Sequence, residues 1–592
     1  MKRVVGVVAG VAVLVAGLVG PEGVAAGTDR PGHWGPPKRP LEWKQCPPEK
    51  KSSSGGLLGL GSARPIGSIE PFASTGRFAS SGPFASSGPF ASSGPAEPFA
   101  SAAPARRAGR REPVQECAEL RVPLDYREPY GQQITLSLNR IRGTVSRDGN
   151  HLGTLLVNPG GPGGEGLSLA RYVAAKLPKE VAARFDIVGF APRGVAPSQP
   201  AMSCVDPARF YAPPRPDNVP KNDAEERVLV GRAKQYAEGC GNRWAWFLPY
   251  LTTENSARDM DAVRAALGEE KISYLGYSYG TYLGAVYATL FPQRVRRLVL
   301  DSVVDPAGVW YQANIAQDRS FDRRHRDFLA WVAEHNDVYK LGTTQATVSF
   351  AWYSMRSRLR DRPAGGVVGP SELDDVFSNG AYSDRLWPYL GSAFSAYVRN
   401  GDSSVLVKLF RTVAEIDEEE ENSYAVYLGV ECRDAAWPRS WDRWRADTRK
   451  EHAEAPFMAW PNAVYNAPCA FWPEKGGTPV KVGTSHLPPV LLIQAERDAA
   501  TPYAGALRMR SLFPTSRLLV SHGGNHGVSL AGNACVDRQL SAYLRDAVLS
   551  PQRRGTRGAD ATCPGEPEPR ATLMKVTEGG QGTASHTSAK RR

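Results

Sequence analysis

The sequence predicts an α/β protein: a mainly parallel sheet flanked by helices, with a large, mostly helical cap inserted between two late strands. Three observations carry this reading. Short apolar runs alternate with segments of helical spacing, the pattern of strands joined by crossover helices. Several of those runs end in glycine-rich or otherwise function-bearing sequence, at Asn158–Gly164 and Gly276–Gly280 among others. Finally, the interval 306–487 separates two sheet-like segments by far more than a loop and a helix require.

The N-terminus departs from the rest. Lys2 and Arg3 precede an apolar run from Val4 to Gly20, and small residues follow through Val24-Ala25-Ala26. This order of basic, apolar and small-residue regions predicts a secretory leader over 1–26 that is removed on export. Several glycines interrupt the run, which is short for a spanning helix, so no stable membrane insertion is expected afterwards.

Residues 27–116 form a second region, in which FASSGP occurs three times over Phe78–Pro95 with a degenerate copy at Phe72. Its Ser, Gly, Pro and Ala richness offers too little apolar surface to offset the entropy of ordering, and it reads as a linker-like insertion. The core is expected over 117–305 and 488–550, the cap over 306–487 and a tail over 551–592, held by Cys563 alone.

Within the core, Ile134–Ile141 alternates apolar and polar residues, as a half-buried strand does. Continuous apolar runs at Gly153–Val157, Phe185–Gly189, Lys271–Gly276, Arg297–Asp301, Pro489–Ala495 and Ser516–Ser521 read as inner strands. Asn255–Leu267 and Thr281–Leu290 have helical spacing. The cap segment is rich in tryptophan, from Trp331 to Trp460.

The eight cysteines show none of the short spacings of a zinc knuckle or redox motif. An even number in an exported chain predicts disulfides. Joining sequential neighbours gives Cys46–Cys117, Cys204–Cys240, Cys432–Cys469 and Cys535–Cys563, one of 105 connectivities. With 42% hydrophobic and 22% charged residues the composition is that of a globular protein. The net charge of +12 is scattered and accompanies no nucleic-acid motif, so no nucleic acid is expected; weak adhesion to anionic cell-wall polymers is the electrostatic alternative.

The chemistry is concentrated at Gly276-Tyr277-Ser278-Tyr279-Gly280, a G-x-S-x-G sequence between a strand and a helix. That sharp turn lifts a serine hydroxyl above the sheet in α/β-hydrolase folds, which makes Ser278 the candidate nucleophile. An oxyanion needs preorganised donors, and the amides of Tyr279 and of Gly161, in the loop Asn158-Pro-Gly-Gly-Pro-Gly-Gly164, are the candidates. In this fold the acid and then the histidine follow the nucleophile along the chain. Asp498, at the end of Leu491–Asp498, is preferred over Glu496, and His526, in a Gly-Gly-Asn-His-Gly loop, over His522. Absence of a metal-ligand cluster or dinucleotide loop in the sequence means that no cofactor is expected.

With these residues in place, the chain resembles the secreted bacterial tripeptidyl aminopeptidases, relatives of prolyl aminopeptidases in the α/β-hydrolase superfamily. The resemblance covers roughly Cys117 to Cys563. It rests on VPLDY (122–126), NPGGPGG (158–164), PRGV (192–195), TTENSARDMDAVRAALGE (252–269), YLGYSYGTYLG (274–284), ERDAATP (496–502) and GNHG (524–527). It implies a secreted, extracellular serine exopeptidase that releases short peptides, tripeptides foremost, from the free N-termini of peptides or proteins, with the same roles for Ser278, Asp498, His526 and Gly161. The chain departs from the family pattern at Glu165, where Ser is often found, and at Phe190-Ala191 before Pro192, where an acidic residue is usual.

An aminopeptidase must seat the substrate ammonium, and a buried cation needs a carboxylate. The cap offers Glu431 and Asp434 beside Cys432, with an ordinary structural ion pair as the competing reading. The run Glu415–Glu421 is read as a solvated helix face. Two other functions compete: a carboxylesterase with the same triad, since fold alone does not select the substrate, and a non-catalytic cell-surface binding protein.

Overall fold

The computed structural model describes residues 41–47, 114–553 and 558–574. The expected leader and the FASSGP repeats lie outside the described residues. Among those described, ten strands form one sheet: β1 Lys44–Gln45, β2 Gln115–Pro123, β3 Gln133–Ile141, β4 Thr154–Asn158, β5 Asp186–Phe190, β6 Ile272–Tyr277, β7 Val295–Asp301, β8 Val490–Ala495, β9 Ser516–Ser521 and β10 Ala561–Cys563. Their order across the sheet is β1-β2-β3-β5-β4-β6-β7-β8-β9-β10. From β5 through β10 neighbours run parallel, while β1, β2 and β3 form an antiparallel edge that joins β5. This is the α/β-hydrolase arrangement that the sequence predicts.

The inner strands β4, β5, β6 and β8 are buried at every position, because helices cover both faces of a parallel sheet. The helix Tyr279–Leu290 buries nearly its whole length between β6 and β7, which explains its apolar, small-residue sequence. Gly284 is required there: a Cβ would lie 2.5 Å from the Tyr274 ring.

Helices from Tyr311–Glu334 to Pro468–Phe471 occupy the interval between β7 and β8, in agreement with the predicted cap. They surround a core of their own, with Phe321, Phe328, Trp331, Trp352, Phe377 and Trp387 packed together. Ala499 and Ala500, just beyond β8, belong to the same cluster, so the cap core closes over the loop that carries Asp498.

Three features differ from expectation. First, the excursion between β5 and β6 joins the cap: the helix Asp223–Trp244 is tied to Cys204 by a disulfide, and Tyr236 donates to cap residue Glu421. Arg356 of the cap pairs with Asp217 and Arg445 with Glu226. Second, the acidic run is a solvated face only in part: Glu415, Glu418 and Glu419 are exposed, whereas Glu420 and Glu421 are buried. Asp417 caps the helix Glu418–Asp434, and Glu421 is buried, accepting from the amides of Cys204 and Val205. Acidic residues suit a helix N-terminus, and here one of them also satisfies buried donors of the neighbouring segment. Third, the tail is held by more than Cys563. β10 extends the sheet beside β9, Glu566 pairs with Arg385, and the amide of Met574 donates to Ser392 of the cap.

All four sequential disulfides form, Cys46–Cys117, Cys204–Cys240, Cys432–Cys469 and Cys535–Cys563. Among the described residues no helix is long and apolar enough to cross a membrane.

Candidate active site

β6 delivers Ser278 to the top of the sheet, and the helix Tyr279–Leu290 starts at the next residue. Ser278 has φ 55°, in the sparsely allowed region for a residue with a side chain. The turn is over-determined by its surroundings: the Ser278 amide donates to the Asp301 oxygen at 3.0 Å. A Cβ on Gly276 would stand 2.4 Å from the Gly280 oxygen, and one on Gly280 would stand 2.8 Å from the Asn158 oxygen. Both flanking glycines of G-x-S-x-G are therefore fixed by close backbone approach.

The loop after β4 lies directly on this turn. A Cβ on Gly160 would be 2.5 Å from the Tyr277 oxygen and 3.0 Å from the Tyr279 nitrogen. Gly161, at φ 110°, lines a cavity of about 250 Å³ together with Ser278 and Tyr279. The two candidate oxyanion donors thus flank the serine in one cavity.

The two histidines and two carboxylates sort into two pairs. His526 Nδ1 is 2.9 Å from each Asp498 oxygen, and both side chains are almost wholly buried, at 1% and 0% exposure. His522 instead pairs with Glu496 at the surface, at 3.0 Å and with 57% of its side chain exposed. Asp498 is held by the amides of Ala500 and Thr501. Burial alone would lower the His526 pKa, but the charge and hydrogen bond of Asp498 outweigh it and hold the imidazole above its ordinary value. His526 Nε2 is buried and has no hydrogen-bond partner among the described residues. Such an unpaired nitrogen is free to take a proton.

Asp301 ties these pieces together. Its backbone oxygen takes the Ser278 amide, and its buried carboxylate accepts from the amides of Val528 and Ser529. The Gly527 amide donates to Ser302 Oγ at 2.8 Å. The serine and the segment after His526 therefore rest on the same end of β7.

Of the two cap carboxylates, the structure brings only Glu431 to the serine's cavity. It is 4% exposed and accepts from Asn314 Nδ2 at 3.2 Å. Burial raises its pKa to about 8, against the opposing hydrogen bonds from Asn314 and Tyr427. The Cys432–Cys469 disulfide fixes the next residue. Asp434 is engaged elsewhere, accepting from the Thr253 amide and hydroxyl, and it lines a separate cavity with Arg433 and Gly477. Thr253 in turn bonds the Tyr279 hydroxyl at 2.8 Å, so Asp434 acts as a structural acceptor behind Tyr279.

Glu165 caps the helix Gly166–Lys176, accepting from the amides of Leu167 and Ser168. This accounts for an acidic residue at that departure from the family pattern, since a carboxylate suits a helix N-terminus. Sequence reasoning missed Asn314, Tyr382 and Tyr427, which line the cavity from the cap. Their position relative to Ser278 depends on how the inserted helices dock, and no local motif marks them.

The α/β hydrolase fold family matches residues 153–532. The tripeptidyl aminopeptidase of Streptomyces coelicolor is 46% identical over 470 residues, covering 78% of this chain and 84% of that protein. Serine protease Hip1 of Mycobacterium tuberculosis is 33% identical over 455 residues, 74% of this chain and 86% of that protein. Carboxylesterase B of the same organism is 31% identical over 448 residues, with 74% and 85% covered.

Proposed function

The chain belongs to the α/β-hydrolase family, close to the bacterial tripeptidyl aminopeptidases, and from that premise we propose that it is a serine exopeptidase that releases tripeptides from free N-termini. In this reading Ser278 Oγ attacks the carbonyl carbon of the scissile peptide bond while His526 Nε2 takes its proton. Asp498 orients the imidazole and stabilises the imidazolium. The amides of Gly161 and Tyr279 receive the negative charge that develops on the carbonyl oxygen. His526 returns its proton to the departing amine, which leaves a tripeptidyl ester on Ser278. Water then attacks that ester with His526 again as base, and the peptide acid is released.

The observation that carries the exopeptidase reading is Glu431 in the same cavity as Ser278. A buried carboxylate there has no use in simple ester hydrolysis, whereas a substrate ammonium placed at a fixed distance from the serine requires one. Glu431 is accordingly our assignment for the amine site, and Asp434 is not part of it. The segment 1–26 and the four disulfides support export, and the net charge of +12 supports weak adhesion to anionic polymers outside the cell.

The test is a panel of free and N-acetylated di-, tri- and tetrapeptidyl-arylamides beside simple esters. The expected outcome is preferential turnover of the free tripeptidyl compound. Turnover of esters alone would return the assignment to a carboxylesterase.

A further inference from the structure

His526 stands between two bodies. The chain after it is bound to the core sheet through Asp301 and Ser302, and the chain before it is bound to the cap. The cap contacts come from three residues of one short segment, Tyr382, Asp384 and Arg385. The Tyr382 oxygen accepts from the His526 amide at 2.9 Å, and the Tyr382 ring meets the imidazole edge-on with centroids 5.5 Å apart. Asp384 and Asn525 form a reciprocal pair: the Asp384 amide donates to Asn525 Oδ1 and Asn525 Nδ2 donates to Asp384 Oδ1, both at 2.9 Å. Arg385 donates to the Ala531 oxygen on the far side of the loop.

The floor beneath the pair is also built by the cap. Arg324, 1% exposed, lies 3.7 Å from Asp384 and 4.8 Å from the centroid of the Trp387 ring. A Cβ on Gly524 would come within 2.3 Å of Arg324 Nε, so this glycine permits the loop to rest on the guanidinium. Neither Asp384 nor Asn525 lines the cavity of Ser278, so any effect they have on the reaction is indirect.

We infer that Asp384 and Asn525 are positioning residues, through which docking of the cap sets the imidazole of His526 in register with Ser278. The inference rests on the reading of His526 as the base. Asp498 orients the imidazole ring, while the attachments of the loop to the sheet and to the cap place the backbone that carries it. Release of the cap side lets the backbone at His526 shift, and a misplacement of about 1 Å costs on the order of a hundredfold in rate.

The experiment compares Asn525→Ala, Asp384→Ala and the conservative Asp384→Asn in the full chain, with a free tripeptidyl-arylamide and its N-acetylated form. Asn525→Ala and Asp384→Ala are expected to lower kcat by about ten- to a hundredfold, with KM within threefold and the preference for the free amine unchanged. Asp384→Asn keeps the backbone donor and an oxygen acceptor and is expected to stay within about threefold of the parent, since the contact it preserves is the one argued to matter. Should an alanine variant not fold, Asp384→Ser carries the same comparison. Unchanged kcat in the alanine variants overturns the inference. So does a loss in which KM rises and amine preference disappears together, because that describes a loosened cap. Loss of activity in Ser278→Ala and His526→Ala alongside full activity in the clamp variants would remove this inference alone; activity without Ser278 would remove the reading beneath it.

Discussion

Glu431 on the cap and Ser278 at the end of β6 line one cavity of about 250 Å³, and Asn314 Nδ2 holds the Glu431 carboxyl at 3.2 Å. In the proposed exopeptidase reading, this relationship sets the spacing between the substrate amine and the serine that accepts the acyl group. N-acetylation of a tripeptidyl-arylamide removes the cation while leaving the scissile bond unchanged. It is expected to cost on the order of 1.5–3 kcal/mol, about ten- to a hundredfold in kcat/KM. Glu431→Gln should erase most of that discrimination, and equal treatment of the two substrates by the parent protein would mean that no amine site exists.

The two histidines differ in partner and exposure, and this yields a sharper test. Ser278→Ala and His526→Ala are each expected to reduce acyl transfer by several orders of magnitude, because members of a triad act as a unit. His522→Ala should retain most activity, since its exposed pairing with Glu496 is a surface contact of small energy. Steady-state rates of the purified variants check this, and equal collapse of both histidine variants would leave the base unassigned.

Much of this arrangement was legible in the sequence, and the reason is local. The G-x-S-x-G glycines, the Gly-rich loop after β4 and the loops bearing Asp498 and His526 are marked by backbone demands that only particular residues meet. The apolar runs gave the inner strands to within a residue or two. What was hidden depends on docking between distant segments: Asn314 and Tyr382 at the cavity, Glu421 turned inward to bind the amides of Cys204 and Val205, and the tail residues on the cap. The short strand Ala561–Cys563 had no periodicity to betray it, since three residues in a Gly- and Pro-rich tail pair only because β9 offers an edge.

With His526 as the base, its raised pKa is expected to set the acid limb of the pH profile. Free enzyme needs a neutral imidazole, and Asp498 holds the protonated form stable beyond its ordinary range, so activity should fall as pH drops through a value above about 6.5. Asp498→Asn removes the stabilising charge. Its acid limb should move to lower pH while kcat falls by about 10⁴-fold, the scale known for an orienting carboxylate in such triads. A profile measured with an N-acetylated substrate isolates this effect from the amine site, and an unmoved limb in Asp498→Asn would contradict the pairing.

In the proposed reading Glu431 adds a second pH dependence, in binding and of the same sign below pH 8, together with a cost in stability. With its pKa raised to about 8, the carboxyl is mostly neutral at pH 6–7 in the empty cavity and must release a proton to face an ammonium. KM for free tripeptides should therefore improve as pH rises from 6 towards 8, by up to about tenfold per unit. It should worsen above that, where the substrate amine, with an ordinary pKa near 8, loses its charge. The stability sign follows from the same shift. Between about 4.5 and 8 the folded state binds a proton that the unfolded state releases, so this group makes the protein less stable as pH rises across that window. Glu431→Gln cannot ionise. It is expected to unfold like the parent near pH 4 but to be more stable at pH 8–9, by on the order of 1–3 kcal/mol once relaxation around a buried charge is allowed for. Thermal unfolding of both proteins at pH 4.5 and 8.5 decides it. A variant that loses amine preference while gaining alkaline stability would identify Glu431 as a group kept for function at the expense of the fold. A variant destabilised equally at both pH values would instead assign Glu431 a structural role with Asn314.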